Sequence, residues 1–461
     1  MALIWRRQGR SNAAPRMSML KHLIWAYFLL LIFEGALRKW IIPSLSAPLL
    51  LVRDPVALLI IWEAYRTRKW PKQWVGVISF LALSMLVLCV VQVILGENPW
   101  FIALYGLRSY LLPFPVAFIM GENLDAEDLR KFGVFTLWVL LPEVGIEIAQ
   151  YLAPANSLLN KGAYEGMTQI GYAGEHVRAS GTFSFPTGPI YLGGLAAAFV
   201  FYGLVNNKFA KRWLIFAATI ALVISIPVIG SRALILTLAE IVAFVMVAAL
   251  FGVSQFAATL KIIPAILVAV LLAMQLPVFS AAMDTLQKRL GQAAEAEGGN
   301  QGTFTARVAS PVEEATNFDY STTSWYGNGM GIGSNVAAQL LTGTPQFLGG
   351  EGETSRLLFE LGPFFGPAFL LFRVLLTMMI AFKAFMRVRD QLPLAWLLVP
   401  ALLAAPFGAL EQPTIQGFMV LNLGFALAAL NLKSEESEKP PIANPRPGRI
   451  QPRAFAGRRL S

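Results

Sequence analysis

The 461-residue chain is poor in three things: it has one cysteine, two histidines and few charges. Asp, Glu, Lys and Arg make up 14% of it, against about 25% in ordinary soluble chains. The lone Cys89 lies in an apolar run, so an intramolecular disulfide and a thiolate metal cluster are both excluded. His22 and His176 are too few for a histidine-based metal site. A G-x-x-x-x-G-K-[S/T] phosphate loop does not occur, which argues against an ATP-driven pump. The GNGMGIG run lacks the flanking strand and helix of a nucleotide-binding loop. No metal and no cofactor is expected.

What the chain has in excess is apolar surface: 56% of its residues are hydrophobic and the mean hydropathy is +0.59. Such an excess must face lipid, which excludes a water-soluble globular class. The expected fold is an all-α polytopic membrane protein with about twelve transmembrane helices, each needing roughly 20 apolar residues. The stretches centre on 20–37, 45–64, 74–95, 100–121, 132–153, 186–205, 213–230, 233–252, 258–281, 355–382, 393–410 and 414–432. An even number puts both termini on one side. The tails 1–19 and 433–461 are rich in Arg and Lys, as are the connections after spans two, six and ten, so this side reads as cytoplasmic. The net charge of +10 is then an orientation signal and implies no nucleic-acid partner. The first span has no small-residue cleavage site after it and reads as a retained helix. The proline-rich tail 433–461 has too little apolar area to fold.

The expected organisation is a membrane domain of spans one to nine over 20–281, with an outer loop 154–185. A large loop of 282–354, expected to contain short helices, follows, and then spans ten to twelve over 355–432. In the large loop TFTARVASPVEEAT reads as a short helix interrupted near Pro311, and the glycines of GNGMGIGSN call for a loop.

Ionisable groups inside spans need partners or a water-filled cavity. Arg108, in span four, and Glu143 and Glu147, in span five, fall at similar depths, so a structural ion pair from Arg108 to that i, i+4 carboxylate pair is expected. Arg53, Asp54 and Pro55 interrupt span two, and a helix broken at membrane depth must be buried or line a cavity. Glu34 and Arg38 read as a helical i, i+4 pair, and Arg373 as a side chain snorkelling to the cytoplasmic interface. Arg178, Arg232, Arg307 and Arg356 fall at outer helix ends and outer loops. The guanidinium is planar, always charged and suited to phosphate oxygens, so several at one face can clamp a diphosphate; equally, each can pair with a carboxylate of the acidic loop.

Four segments in this order resemble the bacterial O-antigen ligase and O-antigen polymerase superfamily over roughly residues 170–432. They are Arg178 with Gly181, Thr182, Phe183 and Pro186; Gly230-Ser231-Arg232; Arg307 followed by Gly327, Gly329, Gly331 and Gly333; and EGETSRLLFELGPFFG from Glu351 to Gly366. One departure is Glu351, which stands where ligases commonly carry histidine, with Glu353 two residues on. The resemblance implies metal-independent glycosyl transfer at the periplasmic face of the bacterial inner membrane. The donor would be an undecaprenyl-diphosphate-linked glycan, and the acceptor a hydroxyl of a glycan or lipid. It assigns the diphosphate to Arg178 and Arg232, with Arg307 and Arg356 as further candidates. The general base would be Glu351 or Glu353, with His176 in reserve. The other expectation is a secondary transporter or flippase for a polysaccharide precursor, which predicts charges near the midplane and short external loops.

Overall fold

The computed structural model describes residues 17–96, 98–162, 176–251, 274–275, 277–296, 309–334, 337–338, 341, 352–388, 393–403 and 405–432. Their architecture is all-α, and ten helical segments are long and apolar enough to cross a membrane. The helices are α1 (Met19–Ala36), α2 (Arg53–Arg66), α3 (Val75–Leu95), α4 (Trp100–Leu111), α5 (Pro113–Asn123), α6 (Ala126–Leu152), α7 (Thr187–Val205), α8 (Arg212–Ile229), α9 (Arg232–Leu250), α10 (Pro277–Ala296), α11 (Glu353–Val388), α12 (Pro393–Leu403) and α13 (Pro413–Asn431). Eleven of the twelve expected spans have a helix here, α12 being a short one, and α4 with α5 makes a single span broken before Pro113. Most of the expected span 258–281 lies outside the described residues; its last residues, from Pro277, begin the amphipathic α10.

The centre of the bundle is α13, with 83% of its apolar window buried, whereas the segment Pro43–Arg66 that contains α2, with 17%, runs along the rim. Small residues let the backbones close in, as helix pairs in lipid require. A methyl group added to Gly121 of α5 would lie 2.5 Å from the Leu427 Cβ of α13, and one at Gly424 would lie 2.8 Å from the Met120 Cβ. Trp25 of α1 stacks on Phe132 of α6 with ring centroids 4.0 Å apart, beside Phe28 and Phe425. At one end of the bundle, here the tail end, an Asp125–Asp128 capping box starts α6, and Lys21 of α1 bridges to both carboxylates. The opposite end carries the described loop residues 154–162, 176–186 and 317–334 and is called the loop end.

The expected single span 355–382 is corrected. Gly362 interrupts α11 with φ +82° and ψ 175°. Glu353 and Arg373 form an ion pair across this point, although a straight helix would hold residues twenty apart at roughly 30 Å. A methyl group at Gly366 would lie 2.7 Å from the Leu357 carbonyl oxygen. The chain therefore doubles back at Gly362, so 353–361 lies antiparallel against the start of 363–388, and only the second piece crosses the bundle. Arg373, expected to snorkel, instead points into this hairpin, where it meets Glu353 and donates to the Gly408 carbonyl.

The glycine-rich run does form a loop, with φ +82° at Gly327, +129° at Gly329 and +83° at Gly331. It is threaded between α4 and the half-helix 353–361: Asn328 N–H donates to the Phe359 carbonyl at 2.8 Å, and Gly106 of α4 abuts the Gly331 backbone. Gln92 of α3 holds it from the other side, donating to the Tyr326 and Glu360 carbonyls and accepting from Met330 N–H. Pro311 lies within the described helical residues 309–316, while 303–308, the first part of the expected interrupted helix, lies outside the described residues. Glu314 of that helix accepts from Thr354 N–H at 3.1 Å and Ser355 N–H at 3.2 Å, capping the half-helix.

An alanine at Gly362 would put an L-residue in the left-handed region, with its Cβ 2.6 Å from the Trp325 carbonyl oxygen. Gly362→Ala should cost about 1–2 kcal/mol or more, seen as a lower thermal midpoint in detergent. Gly76→Ala, whose added methyl meets nothing within 4 Å, should leave the midpoint where it was. Equal midpoints for the two variants would rule out the hairpin turn.

Candidate functional site

Buried polar and charged side chains gather at one height. Glu34 counted from Met19, Arg108 from Asn123, Arg373 from Val388 and Gln416 from Asn431 each stand fifteen residues in from the tail end, roughly 22 Å by helical rise. At this level three polar assemblies form, each joining elements far apart in sequence.

The first joins α1, α2, α4 and α13. Arg53, the first residue of α2, donates from Nε to Glu34 at 3.1 Å and from a terminal nitrogen to the Pro413 carbonyl. Gly417 makes room for it, since a Cβ there would strike the Arg53 guanidinium. Pro55 falls in the first turn of α2, so the break in span two leaves that helix intact. Arg108 pairs with Asp54 at 3.0 Å and lies over the Tyr105 ring. The expected ion pair from Arg108 to Glu143 and Glu147 does not form: the nearer carboxylate around the bundle is Asp54, and Glu143 and Glu147 face another way. Glu34 and Arg38 are within 3.6 Å, but not as a simple helical pair, for Arg53 is closer to Glu34 and Arg38 reaches Ser184 and the Ser46 carbonyl.

The second assembly clamps the loop 180–184. Glu143 accepts Thr182 N–H at 2.8 Å, and one Gln150 oxygen accepts both Ser180 and Gly181 N–H. Lys39 donates to Ser180 Oγ and the Gly181 carbonyl. Glu143, Glu147 and Gln150 are spaced i, i+4, i+7, one face of α6. Glu147 is 1% exposed, and its Oε2 makes no hydrogen bond among the described residues.

Arg178 leads into this clamped loop and is half-buried. Its neighbour Ala179 shares an apolar cluster with Tyr151, Val228 and Ala282, which brings the Arg178 segment to the end of α8. There Gly230, at φ +60°, turns the chain into α9, whose first residue is the half-buried Arg232. Both arginines thus belong to the loop end, close to the same apolar cluster. His176 stacks on Tyr151 with ring centroids 4.3 Å apart, and its Nδ1 lies 3.0 Å from the Tyr151 carbonyl. With that nitrogen as the donor, Nε2 is an acceptor.

The third assembly is the hairpin network. Arg356 is 2% exposed and meets Glu353 at 2.9 Å, Glu360 at 2.9 Å and Glu411 at 2.7 Å, while Arg373 meets Glu353 from the other side. Tyr110 of α4 donates to Glu360 and accepts from Arg356. Two expectations fall here. Arg356 has its fork filled by the protein's own carboxylates and cannot clamp a diphosphate without dismantling the network. Glu353 is held at both oxygens by guanidinium groups and cannot reach an acceptor hydroxyl without giving up those bonds. Arg307 and Glu351 lie outside the described residues.

Lys39, Tyr110, Gln150, Glu360 and Glu411 carry these assemblies without standing out in the sequence. The i, i+4, i+7 polar stripe of α6 was a readable signal for Gln150, and Glu353, Arg356 and Glu360, spaced i, i+3, i+7, for the half-helix. Glu411, in the connection between α12 and α13, had none. Comparison with protein-family models, with curated proteins and with solved structures finds no match to this chain.

Removing one partner of a buried ion pair strands the others. Glu353→Ala should destabilise by about 3–5 kcal/mol, read as a drop in the denaturation midpoint. Glu240→Gln, at a half-buried carboxyl with no partner within reach among the described residues, is the matched control and should change little. A Glu353→Ala protein as stable as the control would mean that the network does not exist.

Proposed function

We propose that the protein is a metal-independent glycosyltransferase of the bacterial inner membrane, of O-antigen ligase or polymerase type. It would act at the periplasmic face in surface-polysaccharide or exopolysaccharide assembly. The loop end is then periplasmic and both termini are cytoplasmic. The donor is a glycan on undecaprenyl diphosphate and the acceptor a hydroxyl of a glycan or lipid. What carries the reading is the placement of two half-buried guanidinium groups, Arg178 and Arg232, at one end of the bundle near the cluster of Ala179 and Val228. As the glycosyl bond breaks, negative charge builds on the departing diphosphate, and fixed guanidinium forks at the edge of a low-dielectric layer stabilise it. The clamp of Lys39, Glu143 and Gln150 on 180–184 supplies the rigidity such a site needs. Exposed Trp325 and Tyr320 offer ring faces to sugars at the same end. Arg307 and Glu351 stay in the proposal, as diphosphate ligand and base, with His176 as the alternative base.

One observation favours the second reading, a secondary transporter or flippase. Spans two and four are both broken at membrane depth, and discontinuous helices ringed by charge are how many transporters build a substrate site.

Both readings meet in one experiment: purified protein in proteoliposomes, supplied with lipid-linked glycan on one face. Arg178→Lys and Arg232→Lys keep the charge and lose the fork, and each should slow glycosidic bond formation about 100-fold with an unchanged melting temperature. Full activity in either variant overturns the clamp. Glycan crossing the bilayer with no new bond formed replaces the transferase by the transporter.

A further inference from the structure

The hairpin network has more negative than positive charge. Glu353, Glu360 and Glu411 contribute three carboxylates and Arg356 and Arg373 two guanidinium groups, all at 8% exposure or less. A fourth carboxylate, Glu314, caps the half-helix at its edge. Buried charge left uncompensated is costly, and taking up a proton removes that cost.

The hydrogen bonds say which carboxylate takes it. Glu353 accepts Arg356 Nε–H at 2.9 Å on one oxygen, and Arg356 Nη2 together with Arg373 on the other. Glu360 accepts Gly333 N–H at 3.1 Å on one oxygen, and Arg356 and Tyr110 on the other. Glu411 is different: its Oε2 lies 2.7 Å from Arg356 Nε yet makes no hydrogen bond, because the single hydrogen of that nitrogen points at Glu353. The charged groups acting on Glu411 are Arg356, Glu353 and Glu360 of the half-helix, and around those partners stand Arg373 on the second limb, Tyr110 on α4 and Tyr191 on α7.

We propose that Glu411 is the proton-exchanging carboxyl of the hairpin network: it holds the one proton that the network needs and releases it to solvent as the pH rises. Burial, joined by the Glu353 and Glu360 carboxylates, pushes its pKa up to about 7 against the pull of Arg356.

The assignment is tested without any activity. Infrared difference spectra of the purified protein in nanodiscs, taken as pH is raised from about 5 to about 9, should show the carbonyl stretch of protonated carboxylic acids fading, and Glu411→Gln should remove one carboxyl's share of that band. Glu143→Gln and Glu147→Gln mark the share of the two buried carboxyls of α6, and the Glu411 share should persist in both. The raised folded-state value also means that stability is lost as pH rises from 4.5 toward about 7, and Glu411→Gln, a neutral isostere of the protonated side chain, should flatten that slope. A band unchanged in Glu411→Gln but reduced in Glu353→Gln or Glu360→Gln overturns the assignment. A band accounted for wholly by Glu143 and Glu147 overturns the bound proton altogether.

Discussion

A charge placed in the apolar layer must find its opposite there, and this constraint organises the rest of the molecule. Arg53 reaches from the start of α2 to Glu34 on α1, and Arg108 from α4 to Asp54 on α2. Arg373 reaches from the second limb of α11 back to Glu353 on the first. Each pairing ties elements that apolar packing alone would leave free to rotate or slide. The polar layer thus sets the azimuth of its helices, while small residues such as Gly121, Gly417 and Gly424 bring α13 close enough for the contacts to form.

The same layer supports the loop end. The 180–184 loop has no helix of its own at the start, yet Gln150 and Glu143 of α6 accept its first three N–H groups, and Lys39, just past α1, donates to its Ser180 hydroxyl and Gly181 carbonyl. Loops that hold a reacting group need such a floor, because a misplacement of an ångström is expensive in rate. The glycine-rich run is braced in the same way by Gln92 and the half-helix. Its glycines serve close backbone approach.

Helix positions were legible from the run lengths of apolar residues, because the thickness of the lipid layer imposes a length that composition alone reveals. The partners of the buried charges were not. Depth along a helix is a single coordinate that Arg108 shares with Asp54, Glu143 and Glu147 alike. Which of these it meets depends on the direction each helix faces, and one sequence does not specify that. The hairpin was hidden for another reason: the apolar run continues through Gly362, and a reversal there needs only a positive φ that glycine supplies without a mark in hydropathy. The Arg178 and Arg232 positions were readable as ends of helices, but the cluster of Ala179 and Val228 that draws them to one place is a tertiary contact.

The reversal at Gly362 has a bearing on how the chain is made. The segment 353–361 carries Glu353, Arg356 and Glu360, and alone it has no reason to enter lipid. Its counter-charges, Arg373 and Glu411, are synthesised later, Glu411 only two residues before α13 begins. The half-helix must therefore wait at the surface until most of the bundle is in place, and its docking is a closing event in biogenesis. A ribosome stalled before α13 would leave a chain whose earlier helices are threaded but whose hairpin is still open.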